Sequence, residues 1–288
     1  MTTATAPAPT AIPEAAARQP AWKRKPNYKI AVLIVAFLVV WELASLVTPD
    51  FIVPPIGAVA SDVWTTVTTS AGLQNLFTTL ARVAVGLVCA FVVGVSLGLV
   101  SGASSFAAGY LLPVVRFIQG IPSLSWVIIA VIWFQSVELR IWFVMILVTL
   151  PGFALQTYDS YRGIPAELRD MARSFRPGRL ALFREITLPA ITPGLFTAWK
   201  VNLGLGIRMV LIAELVGATV GVGSQLLSAQ QLFDMAAVVS WTLLLAICML
   251  ILQAAVDAAE SFALRYRAIP QAAAKQSATT AELATAKG

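Results

Sequence analysis

The chain has 288 residues, of which 58% are hydrophobic and only 12% charged, and its mean hydropathy is +0.82. Soluble domains carry about 25% charged residues, so this composition belongs in a bilayer. The net charge of +6 falls in loops that flank apolar runs, a topology signal rather than a nucleic-acid surface, and the absence of histidine removes imidazole bases, His-ligated metals and His-activated nucleophiles.

Residues 1–28 are rich in Ala, Pro and Thr, cannot bury a core and are expected to be disordered. Lys23, Arg24, Lys25 and Lys29 then lead into an apolar run over 30–47, broken only by Glu42. That run is too long for the apolar core of a signal peptide and lacks a small-x-small cleavage site, which predicts an uncleaved first membrane helix. Further apolar windows at 78–100, 117–137, 141–158, 190–216 and 235–256 are each long enough to cross about 30 Å of hydrocarbon. The expectation is an all-α polytopic membrane protein with about six transmembrane helices, one transmembrane domain over 29–268 and a disordered tail over 269–288. Cys89 and Cys248 lie inside apolar runs and read as small buried residues rather than a disulfide.

Lys and Arg set the orientation. They crowd the N-terminal segment, the loop at 159–188 and the tail, and are absent from 49–79 and 219–241. Both termini and the 159–188 loop are therefore expected in the cytoplasm.

That loop is the most informative stretch. Pro165 opens a helix over 166–175, with Glu167, Asp170 and Ser174 on one side and Leu168, Met171, Ala172 and Phe175 as an apolar stripe; Pro177 and Gly178 then turn the chain. By spacing alone this is either a helix that docks in a partner's groove or one that lies on anionic lipid.

The loop resembles the coupling ("EAA") loop of bacterial ABC importer permeases, and the chain from about residue 51 to 267 is similar to the nitrate, sulfonate and taurine branch of that family. The matching residues run from Pro165, Glu167, Leu168 and Asp170 to Leu188, Pro189, Pro193 and Gly194, with Asp170 where glutamate is usual and Arg176 where the family has glycine. Phe51 to Pro55, Thr79 to Val83, Ile121 to Leu124 and Ala213 to Ala218 follow the family's order as well. The resemblance implies a type I ABC importer permease fold in the bacterial cytoplasmic membrane. It implies a homodimer of this chain, two ATP-binding subunits below and a soluble substrate-binding protein above. It also implies a small, anionic solute of the nitrate, sulfonate or taurine kind. Glu167, Asp170, Met171, Ala172, Ser174, Phe175, Pro177 and Gly178 would then touch the ATPase. No cofactor, metal or catalytic residue is expected, and the chain has no Gly-x-x-x-x-Gly-Lys-Ser/Thr phosphate loop of its own. An ion-coupled secondary transporter is the alternative; it needs membrane-embedded acids, for which only Glu42 and Glu214 qualify.

Charges within spans are expensive and face a cavity or a partner. Lys200 is expected to snorkel to the interface. Glu214 is read as loop packing or pairing near a span end. Arg208 stands where the family is generally apolar and falls about mid-span; it either pairs with another helix or dimer mate or contacts the solute. Arg208 and Glu214 are taken together as translocation-cavity residues, although six positions on a helix set them about 120° apart.

Overall fold

The computed structural model describes residues 28–174 and 178–265. Expectations for the N-terminal segment, the tail, Phe175 and Pro177 lie outside the described residues. In chain order the helices are α1 (Tyr28–Val47), α2 (Ile56–Thr68), α3 (Ser70–Ala103), α4 (Ser105–Gly120), α5 (Ser123–Trp133), α6 (Val137–Arg162), α7 (Ala166–Ser174), α8 (Arg179–Leu182), α9 (Leu188–Leu215), α10 (Val222–Gln231) and α11 (Met235–Ala263), and no strand occurs among the described residues.

Four helical stretches, Ser70–Ala103, Val137–Arg162, Leu180–Leu215 and Met235–Ala263, are long and apolar enough to cross a membrane. They contain the predicted spans at 78–100, 141–158, 190–216 and 235–256, apart from the last residue of the third. The predicted first span is the shorter apolar helix α1. The predicted span at 117–137 is not one rod. It is the end of α4 joined to α5 across a bend of 92°, so that α4 and α5 form either a broken span or a re-entrant turn. Pro122 causes the break, because its ring disfavours helical backbone at the preceding residue and Ile121 is extended at ψ 129°. The crossing count by length and composition is therefore four, or five with the bent pair, and α1 stands beside them.

The centre is α3 packed on α6 and α6 on α9. Gly94 and Gly98 let the first pair close up: a Cβ on Gly94 would lie 2.9 Å from the Leu150 carbonyl oxygen, and one on Gly98 would lie 2.5 Å from that of Ala154. Around this seam Leu87, Ile141, Met145, Phe153 and Val210 are fully buried, Phe153 meets Phe91 and Trp199 edge-on, and those two rings meet each other tilted. Cys89 and Cys248 are both free.

Helix starts follow local chemistry. Ser104 accepts from the Ala107 N–H at 3.3 Å and Asp234 from the Ala237 N–H at 3.0 Å, capping α4 and α11. Between α8 and α9 the helix widens into a π-turn over Phe183–Thr187. Pro189 gives the reason: in regular α geometry its ring would strike the Glu185 carbonyl, and a wider turn moves that carbonyl aside.

Candidate functional site

The bundle has two ends: α7 hangs between α6 and α9 at one, and α10 bridges α9 and α11 at the other. At the α7 end, buried Ile164 anchors the chain as it leaves α6. Glu167 lies in the first turn of α7, where a carboxylate complements the helix dipole. Glu167, Asp170 and Ser174 are exposed, and the Ser174 hydroxyl donates to the Asp170 backbone carbonyl at 3.1 Å. Leu168 is half-buried, while Met171 is 56% exposed on this otherwise polar helix. Ala172 belongs to the same nine-residue helix, and exposed Gly178 precedes α8. The structure thus gathers Glu167, Asp170, Met171, Ala172 and Ser174 on one short helix that presents an apolar residue among charges.

At the α10 end the central group is Glu214, 0% exposed on the last turn of α9. Both of its oxygens accept from the Thr79 hydroxyl at 2.9 Å, Oε1 from Arg82 Nη1 at 2.7 Å, and Oε2 from the Gly223 N–H at 2.8 Å. Arg82, 6% exposed, also donates to the Val220 carbonyl at 2.7 Å and, through Nε, to Glu138 at 3.0 Å. Thr79 accepts in turn from the Val222 N–H at 2.8 Å, and Asn75 accepts from the Gly221 N–H at 2.8 Å. Gly221 has φ +128°, and a Cβ there would lie 2.5 Å from Glu214 Oε1, so glycine is required on both counts. Side chains from α3 and α9 therefore fix the loop that starts α10, and Glu138 on α6 holds Arg82 in turn.

Sequence reading missed Arg82, Glu138 and Thr79 as members of this cluster. A signal existed: Arg82 is the only cation between Lys29 and Arg116, and it stands by an end of the chain's fold otherwise poor in Lys and Arg. A lone arginine there and a glutamate inside an apolar run each need a partner.

Arg208 does not join Glu214. It is exposed, and it makes no hydrogen bond or ion pair among the described residues. It lies seven residues from Leu215, about 10 Å below the α10 end of α9, while the middle of that helix falls near Asn202. Lys200 is paired to α11: its Nζ contacts Asp257 Oδ1 at 2.6 Å and the Glu260 carboxylate. That pairing ties α9 to α11. No group of three or more metal-ligating side chains occurs among the described residues.

Residues 90–262 match the family described as binding-protein-dependent transport system inner membrane component. A nitrate import permease protein, NrtB, of Synechocystis sp. is 32% identical over 152 residues, covering 53% of this chain and 55% of that protein. A bicarbonate transport system permease protein, CmpB, of Synechococcus elongatus is 30% identical over 153 residues, with the same coverages. The chain thus spans about half the length of these relatives. The taurine transport system permease protein TauC of Escherichia coli is 26% identical over 217 residues, covering 72% of this chain and 77% of that one. Among solved structures, an inward-facing form of the methionine ABC transporter MetNI aligns with a TM-score of 0.58 at 18% identity, covering 66% of this chain and 95% of the other. That likeness is one of fold.

Proposed function

The chain belongs to the family of binding-protein-dependent transport system inner membrane components, and we propose that it is the permease subunit of an ATP-driven importer for a small anionic solute of the nitrate, sulfonate or taurine kind. Two copies form the path, two separate ATP-binding subunits dock at the α7 end, and a soluble substrate-binding protein delivers solute at the α10 end. In this reading the α7 end and both termini lie on the cytoplasmic side, and the permease domain occupies 29–268.

The observation that carries this reading is α7: a nine-residue charged helix held between two membrane-spanning stretches, with Met171 56% exposed. A helix of that design needs a groove to cover its apolar residue. Glu167, Asp170, Met171, Ala172, Ser174, Phe175, Pro177 and Gly178 form the ATPase contact, and the π-turn at Phe183–Thr187 joins it to α9. Arg208 belongs to the pathway. Glu214, saturated by Thr79, Arg82 and the Gly223 N–H, frames the pathway by holding α10 in place. The same saturation disfavours an ion-coupled carrier, which needs a titrating acid free to exchange its ion.

The test is affinity capture of the detergent-solubilised chain. Recovery of an ATP-binding subunit, cross-linked through Met171→Cys, supports the importer. A chain that transports alone, driven by an ion gradient without ATP, overturns it.

A further inference from the structure

We propose that Arg116 on α4 is the inner cation of the solute path, a guanidinium that meets a small anion on the α7 side of half-height as Arg208 does on the α10 side. The proposal rests on the importer reading for the reason an anion passes, but the placement of Arg116 stands on separate observations.

Arg116 lies deep in the bundle. Helix α4 rises from the α7 end, where α3 finishes with Gly102 against the Tyr161 ring at the end of α6. Val115, next to Arg116, is 3% exposed and belongs to the main core with Leu87 and Phe153. Gln119, one turn further along α4, lines a cavity with Gly152 and Asn202, which lie near the middles of α6 and α9. Arg116 therefore stands about 4.5 Å on the α7 side of half-height and about 16 Å along the helix from Ser105. Long cationic side chains snorkel from helix ends, and this one is not at the end that faces water. It is exposed, and it makes no hydrogen bond or ion pair among the described residues.

The exposed surface of α4 has two parts. At about 100° per residue, Phe106, Tyr110, Val114 and Phe117 fall within an arc of about 80°. They are 56–77% exposed and form an aromatic, apolar face suited to lipid tails. Ser105, Gly109 and Arg116 fall within about 40° of one another on the neighbouring edge, beside the packed side of Leu112 and Val115. An edge of small, polar and cationic residues next to a lipid-suited face is the wet side of a membrane helix.

The charge along that side has one sign. Arg116 is the only charged residue of α4 and α5, and no Asp or Glu lines the cavity beyond it. Arg208 stands six residues from Asn202 toward the α10 end of α9. A solute leaving Arg208 thus crosses an uncharged stretch at the α4–α5 break and meets Arg116 before the α7 end. Guanidinium groups along a pore select anions, and two weak sites in series let the anion leave as well as enter.

The test is thiol reactivity of the purified chain, with its captured ATP-binding subunit, in nanodiscs of zwitterionic lipid that leave both faces open. Cys89→Ala and Cys248→Ala remove the native thiols. Gly120→Cys, where an added Cβ meets nothing within 4 Å, and Gln119→Cys each place a thiol about one turn from Arg116; Phe117→Cys places one on the aromatic face. Rates with an anionic and a cationic methanethiosulfonate reagent are each normalised to a free thiol. At positions 119 and 120 the anionic reagent is expected to be favoured about tenfold, to lose that preference in Arg116→Gln and to keep it in Arg116→Lys, while position 117 reacts with neither. Equal rates at 119 and 120, no reaction there, a preference that survives Arg116→Gln, or equally fast reaction at 117 each overturn the proposal even where ATP-dependent uptake is intact. An Arg116-dependent preference in a chain that captures no ATP-binding subunit keeps the anion path and removes the importer reading instead.

Discussion

Arg82 Nη1 donates to Glu214 Oε1 at 2.7 Å, joining α3 to the last turn of α9 through two side chains that are 6% and 0% exposed. Glu214 has only Arg82 as an ion partner among the described residues, whereas Arg82 also reaches Glu138, and the loop into α10 hangs on the pair through Val220 and Gly223 and on Thr79 through Val222. This clamp sets rigidity at the end of the bundle opposite α7.

Removing Arg82 alone should be far worse than removing both ions. Arg82→Leu leaves the buried Glu214 without its ion, a loss of about 3–5 kcal/mol, and Glu214→Leu should cost less because Arg82 keeps Glu138, whereas the double variant should recover much of the first loss. Glu138→Gln should change little, because Glu138 is 43% exposed and water screens it. Thermal unfolding in detergent measures all four. Single variants as stable as the parent would refute the clamp.

Gly221→Ala tests the same loop from the backbone side. An alanine at φ +128° is strained by about 1–2 kcal/mol, and its methyl would press on Glu214 Oε1. The variant should unfold at a lower temperature than Gly57→Ala, where a Cβ meets nothing within 4 Å. Equal behaviour of the two would show that the loop relaxes freely.

Much of this architecture was legible in the sequence, and the reasons differ by element. Apolar windows located α3, α6, α9 and α11 because a bilayer imposes uncharged length, and Pro165 with the alternation of charge and apolar residues located α7. The bend at Pro122 escaped, since hydropathy averages over a window and carries no geometry, although Ile121-Pro122 was itself a local signal. Arg82 escaped because it reads as the edge of a span, and its partners are 56 and 132 residues away in the chain. Arg208 is visible in the sequence as a charge in an apolar window, but its exposure and its lack of a partner among the described residues required the three-dimensional structure.

Orientation has its own check. Ser70 and Gln231 are exposed at the α10 end of the bundle and Ser174 at the α7 end, so cysteines placed there in the Cys89→Ala, Cys248→Ala background report which side each faces. Ser224, 6% exposed and bonded to the Gly221 carbonyl, is unsuited to labelling. An impermeant reagent added to intact cells should label positions 70 and 231 and spare 174. Efficient labelling at 174 would invert the topology.

The central claim is that α7 transmits ATP hydrolysis to the membrane path. ATP hydrolysis and solute accumulation, followed together in vesicles holding the chain and its captured ATPase, test it most directly. The parent should accumulate solute only with ATP, and Asp170→Lys, at an exposed position on α7, should insert normally yet lose accumulation by about tenfold or more, equivalent to about 1.4 kcal/mol of coupling. Accumulation at the parent's level in Asp170→Lys, or accumulation by the parent without ATP, would contradict the account.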